Sequence, residues 1–266
     1  MFRILFLLLV STSTQAQNTD LYVVYDQLFD NTKPIERKAF LYANEQTALY
    51  EDDLLTQYKQ DIQENEKWQK EQDKKNQGTN TKSFQFIPEV KYNKFYKLNR
   101  TEKTINYIEP VVKDYYVYIT DKVSQNWKLT NEKKIINDIE CFKATTRFRG
   151  TDWEVWYAPS IPYPYGPWKL HGLPGLIVQA NDFNKRTNYN ASKIEFKQND
   201  KLYKELTELV TDPISEKVTL QKFVEMRDEI LDRPLQTNRD TNGTYQRQVK
   251  KRYGVELIYE WEEETK

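Results

Sequence analysis

The chain has 266 residues, 40 Lys and Arg against 40 Asp and Glu, and only one His and one Cys. One Cys excludes an intramolecular disulfide, and one Cys with one His excludes a structural zinc site, so no metal or other cofactor is expected. Formal neutrality argues against a sequence-independent nucleic-acid binder, which needs net positive charge to displace counterions. With 30% charged and 14% aromatic residues, the composition is that of a globular chain with a well-solvated surface.

Residues 1–17 read MFRILFLLLVSTSTQAQ. Arg3 in a short start, an apolar run over 4–10 and small residues ending at Ala16 have the order of a signal peptide. Seven apolar residues fall far short of the ~20 a spanning helix needs. The expectation is therefore an exported protein, periplasmic or secreted and not membrane-spanning. Residues 18–266 fit one domain without internal repeats.

Most of the chain reads as strands, at 21–29, 37–43, 47–51, 92–98, 104–108, 114–120, 133–136, 139–148, 152–157, 175–181 and 192–197. Asn44, Glu45 and Gln46 form a plausible hairpin turn. Within 140–148, Phe142, Ala144, Thr146 and Phe148 share one face, with Lys143 and Arg147 opposite. Trp153, Val155 and Tyr157 likewise share a face, with Asp152 and Glu154 behind them. Short strands with short polar connections predict a mainly β fold with antiparallel pairing. Two helices are predicted. One, at 54–75, places Leu54, Tyr58 and Ile62 on a single stripe but is otherwise polar, and it reads as an exposed insertion near 54–82. The other, at 219–232, has Leu220, Phe223, Val224, Ile230 and Leu231 on one side, with Thr219 to cap it and Arg233-Pro234 to stop it. It is expected to cover one face of the sheet. A last strand is expected at 253–261, before an acidic end.

Residues 159–175 stand apart. They hold five of the ten prolines and three of the seven glycines, with Trp153 and Trp156 just upstream and Trp168 inside. Pro159, Pro162, Gly166, Pro167, Gly172, Pro174 and Gly175 make this a stiff loop, because proline fixes φ and removes a donor. Gly172 to Gly175 suits a tight turn, with Gly175 expected at positive φ. Two readings meet here. The loop either seals the end of the sheet or presents a preformed cleft, whose contacts would be Trp153, Trp156, Tyr163, Tyr165, Trp168, His171 and Leu173.

Gly172-Leu173-Pro174-Gly175-Leu176-Ile177 matches the hallmark of the GLPGLI family of exported bacterial proteins. The likeness continues upstream through Trp127, Cys141, the Trp153–Pro159 stretch and Gly166-Pro167-Trp168, and covers roughly residues 105–185. Asn137-Asp138 departs from it, standing where the family usually carries Gly and an aromatic. The resemblance implies an envelope location and supplies no catalytic residues. The strand-rich plan is also similar to periplasmic lipoprotein carriers, which implies a curved antiparallel sheet or open half-barrel with one or two packed helices.

Catalytic sets are thin. His171 is the one imidazole; Ser160 and Asp182 are near it in sequence, yet no nucleophile elbow appears. Asp152 and Glu154 could act as paired carboxylates, but alternating acids on a strand are ordinary for a wet face. Cys141 reads as inert packing. The expected function is thus a non-catalytic envelope protein that binds an apolar, lipid-like ligand or a protein partner through the loop and the sheet's concavity. Its alternatives are a secreted hydrolase using His171 or Asp152/Glu154, and an accessory subunit of an outer-membrane assembly.

Overall fold

Alternating apolar and polar residues commit this chain to pleated strands, and side-chain period two sets which face each buries. The computed structural model describes residues 20–30, 34–78, 82–85, 87, 89–112, 115–197, 216–232, 252 and 254–262. In chain order the elements are β1 (Asp20–Phe29), β2 (Ile35–Ala43), β3 (Thr47–Asp52), α1 (Leu54–Lys75), β4 (Lys94–Asn99), β5 (Thr104–Val112) and β6 (Tyr115–Lys122). There follow β7 (Lys128–Ile136), β8 (Ile139–Phe148), β9 (Thr151–Ala158), β10 (Leu176–Asp182), β11 (Thr187–Lys197), β12 (Glu216–Thr219) and α2 (Leu220–Asp232). The expected signal peptide, and the Arg233-Pro234 stop, lie outside the described residues.

The twelve strands form one open sheet, ordered β12-β6-β5-β4-β3-β2-β1-β11-β10-β9-β8-β7. Two meanders, β1–β6 and β7–β11, are joined by the antiparallel pairing of β1 with β11. The mainly β, antiparallel expectation holds. One pair departs from it: β12, which sequence periodicity missed, lies parallel to β6. Curvature follows from connectivity. Ten strand spacings separate β6 from β7, ~48 Å if flat, yet the chain passes from Lys122 to Lys128, a reach of at most ~21 Å. The sheet must therefore roll into a trough.

The trough's inner face is the core. Leu21, Val23 and Tyr25 of β1 are buried, while Tyr22, Val24 and Asp26 between them are half-exposed. Register carries that face onward: Val23 opposes Leu41, Leu41 opposes Tyr50, Tyr50 opposes Tyr96, and Tyr96 opposes Tyr107. The tyrosines form a ladder, with ring centroids 6.3 Å (Tyr25–Tyr50), 6.2 Å (Tyr50–Tyr96) and 5.2 Å (Tyr96–Tyr107) apart.

Turn chemistry fits the predicted hairpin at Asn44 and makes a second one between β7 and β8. The Asn44 side chain accepts from the backbone N–H of Gln46 (2.9 Å) and Thr47 (2.8 Å). Asn137 and Asp138 both take positive φ, 50° and 61°, as a two-residue hairpin turn requires. The α1 helix starts where Asp53 accepts from the Thr56 N–H at 3.1 Å, and it buries no residue. The α2 helix starts where Thr219 Oγ1 accepts from Lys222 N–H at 3.2 Å, and Leu220, Phe223 and Val224 pack inward. The expected strand at 253–261 is corrected: residues 254–262 run as bends and turns, and residue 253 is outside the described set. In place of a ladder they are held by side-chain pairs and by the Leu257 and Ile258 N–H groups donating to Arg149 O.

Candidate functional site

The stiff loop at 159–175 folds down into the trough. Its backbone is tied to itself and to β10, with Leu176 N–H donating to Ile161 O (3.0 Å), Ile177 N–H to Tyr165 O (2.9 Å) and Gly172 N–H to Pro164 O (2.9 Å). Tyr25 Oη donates to Ile177 O at 2.7 Å from the floor of the sheet. Positive φ falls at Gly172 (91°) and at Trp168 (56°), so the expectation for Gly175 is corrected. Gly175 is required for space: a Cβ there would lie 2.2 Å from Ala158 O.

This packing decides which expected contacts reach solvent. Trp153, Trp156, Tyr165 and Leu173 are 2%, 8%, 1% and 2% exposed. Trp153 stacks on Tyr189 at 6.2 Å, while Trp156 lies on the other face under Lys134 Nζ at 4.2 Å. The hollow between Tyr165, Trp168, Leu170 and the sheet is only about 10 Å³, no more than one water's space. Tyr163, Trp168 and His171 remain half-buried. Tyr163 packs at 6.1 Å from Phe196, and the Trp168 ring stands 5.8 Å from Phe148 and 5.9 Å from Trp153.

Beside Trp168 the trough does open. A cavity of about 410 Å³ lies between the inner face of β4 and β5, Trp168, α2 and the residues Arg252, Val255 and Glu256. Its volume lies within the range of small-molecule sites. Tyr96, Tyr107, Val111, Trp168, Phe223 and Leu231 give it apolar walls. Lys94, Glu109, Arg227, Arg252 and Glu256 give it a charged rim. Of the seven expected contacts, Trp168 lines this cavity. A second hollow of about 420 Å³ lies by Tyr92, Phe95, Ile108 and Tyr116, beyond β4 and β5.

Under the cavity sits a buried charge cluster that sequence reasoning missed. Lys169 Nζ lies 2.8 Å from Tyr107 Oη, 3.1 Å from Asp121 Oδ2 and 2.9 Å from Glu256 Oε1. Arg149 bonds Asp121 twice, at 2.7 and 2.8 Å, reaches Glu260 at 3.0 Å and also contacts Glu256. Burial pushes the Asp121 carboxyl up, but Arg149 and Lys169 outweigh it and hold it below the usual carboxylate range. Burial, and then Asp121, push the Tyr107 phenol well up. The one signal in the sequence is Lys169, a lone cation amid Pro, Trp and Leu.

The residues weighed for hydrolysis are not brought together. The His171 ring shares a hydrogen bond with Lys169 O (Nδ1, 2.9 Å), and burial pulls its pKa down. Asp152 pairs with Arg147 at 3.2 Å, and Glu154 with Lys143 at 3.1 Å, on the outward face of β9. Cys141 is buried.

No family model matches the sequence, and no curated protein does. Among solved structures, PNGF-II in its C2 crystal form superposes with a TM-score of 0.51 at 16% identity, over 79% of this chain and 32% of that one. Its P21 form gives 0.50 at 16% identity, over 83% and 36%. The chain spans about a third of PNGF-II, and the likeness is one of fold. An outer membrane lipoprotein-sorting protein domain from Vibrio parahaemolyticus gives a TM-score of 0.22 at 8% identity, over 73% of this chain and 92% of that one, too low to establish a common fold. No described helix is long and apolar enough to cross a membrane.

Proposed function

We propose that this is an exported envelope protein of the GLPGLI type that holds an apolar, lipid-like ligand in the cavity between the rolled sheet and α2. The observation that carries the reading is the cavity itself: about 410 Å³, walled by aromatic and aliphatic side chains and rimmed by charge. In this reading Trp168 touches the ligand. Trp153 backs the Trp168 ring at 5.9 Å, and Tyr163, Tyr165, His171 and Leu173, with the loop's prolines and glycines, belong to the packed loop that carries it, while Trp156 lies on the far face of β9. Export rests on the order of residues 1–17, and family membership on the block that ends in Gly172–Ile177.

Nile red, an uncharged apolar dye, serves as the probe. Binding with enhanced emission is expected for the wild type. Val111→Trp, which fills the cavity from β5, should weaken binding at least about tenfold while circular dichroism stays unchanged. Undiminished binding in that variant would place the dye outside this cavity, for instance in the hollow by Tyr92 and Phe95, and overturn the reading; so would no binding at all.

A further inference from the structure

On the outer side of the sheet, away from the apolar cavity, α1 runs alongside the outward residues of β1 and β2 and leaves a groove. Two hollows of about 580 and 610 Å³ make it up, and they share Glu36, Gln57 and Gln60. The α1 wall passes from Asp53 through Gln57, Gln60 and Glu64 to Trp68. Those positions are three or four apart, so they fall on one helix face over about 22 Å. Asp26, Leu28 and Lys38 lie along the floor, and Pro34, Gln85 and Ile87 line the Trp68 end. A helix beside a sheet ordinarily lays an apolar stripe on it. The α1 helix instead turns amides and carboxylates toward the sheet and buries no residue.

The lining disfavours an anion, since Asp26, Glu36, Asp53, Asp61 and Glu64 outnumber Arg37 and Lys38. Nor do its acids stand ready for a basic partner. Lys38 is paired with Asp26, Gln57 Nε2 donates to Asp61 at 3.0 Å, and Asp53 caps α1. What remains is mixed in character. Glu36, Gln60 and Gln85 are exposed, and none makes a hydrogen bond or ion pair with another described residue. The half-buried Trp68 indole meets no other described ring or cation. A carboxylate accepts hydrogen bonds, an amide both donates and accepts, and an indole offers a flat apolar face. A pyranose ring needs all three, with hydroxyls around its edge that donate and accept and a face made of C–H bonds.

We infer that this groove is a second binding site, for a neutral oligosaccharide lying along α1, with Trp68 stacked on one ring and Glu36, Gln60 and Gln85 bonded to hydroxyls. The site is separate from the apolar cavity and does not rest on it. Calorimetric titration of the full chain with maltohexaose, cellohexaose, xylohexaose and chitohexaose tests it. At least one should bind, and the disaccharide of the same linkage, too short for the groove, should bind about tenfold or more weakly. Trp68→Ala should weaken that hexasaccharide about tenfold or more, the loss of a stacked face. Gln60→Ala should weaken it about threefold to tenfold, the worth of one hydrogen bond. Neither residue is buried, so circular dichroism and Nile red binding should stay as in the wild type, and Val111→Trp should leave oligosaccharide binding unchanged. No binding of any of the four hexasaccharides, or binding that both Trp68→Ala and Gln60→Ala leave intact, would overturn the proposal. Binding of hexalysine in place of the sugars would overturn it too, and would mark the groove as a site for basic peptide.

Discussion

At Gly175 a methyl group would sit 2.2 Å from the Ala158 carbonyl oxygen and 2.9 Å from Pro159 Cα, with only backbone to yield. At Gly172 the nearest atom to such a methyl is Trp127 Nε1 at 3.9 Å, so space is free and only the φ of 91° objects. The two glycines of one motif are thus needed for different reasons. Gly175→Ala should destabilise by about 3 kcal/mol or more, an overpacking cost against rigid atoms. Gly172→Ala should lose only about 1–2 kcal/mol, the cost of left-handed backbone for an L-residue. Urea unfolding of both variants checks the order, and an equal loss would refute this division. The crowding of Pro and Gly in the sequence made the stiffness of 159–175 legible. It did not tell which glycine carries the turn, because crowding from Ala158 is a tertiary contact.

At the scale of elements, Arg252 and residues 254–262 act as a strap across the cavity's end. Leu257 and Ile258 N–H donate to Arg149 O at 2.8 and 3.2 Å. Arg252 bridges Asp228 on α2 to Glu262, and stacks 5.2 Å over Tyr259. Arg252→Gln cuts the bridge at both ends, so amide exchange at Leu257 and Ile258 should speed up about tenfold or more, while the β1 and β2 amides keep wild-type rates. Nuclear magnetic resonance exchange measures this, and unchanged protection at both amides would show that Arg149 alone holds the strap. Sequence reasoning took this stretch for a strand, since Tyr253, Val255, Ile258, Tyr259 and Trp261 are residue types that strands favour. Composition of that kind suits a pleated segment; it does not report whether a neighbouring strand is free to pair. The eleven strands read from the pattern had such neighbours, whereas β12, four residues long, was too short for any period to declare itself. The cavity was the least legible feature, since its lining comes from β4, β5, the loop, α2 and the strap, elements far apart in the chain.

Taken as a whole, the molecule binds protons less readily when folded at two inner positions. Burial lowers the His171 pKa, and the cations around Asp121 lower its carboxyl pKa in spite of burial. For both groups the unfolded chain takes up the proton first, so their contribution to stability is present at higher pH and lost on acidification. The His171 part begins to fade below about pH 6.5, and the Asp121 part below about pH 3.9, the values for unfolded chains. Melting temperature should therefore fall between pH 7 and pH 5 more steeply in the wild type than in His171→Gln. Parallel curves for the two proteins would dismiss the His171 contribution.

The seam between the two meanders also sets a timetable. On one side β1 meets β2, a few residues away in sequence; on the other it meets β11, whose first residue is Thr187. During translation, at ~5–20 residues per second, that second partner emerges about ten seconds or more after β1. Until then Leu21, Val23 and Tyr25 belong to a bare margin with an open ladder, the kind of flank that chaperones shield and that aggregates recruit.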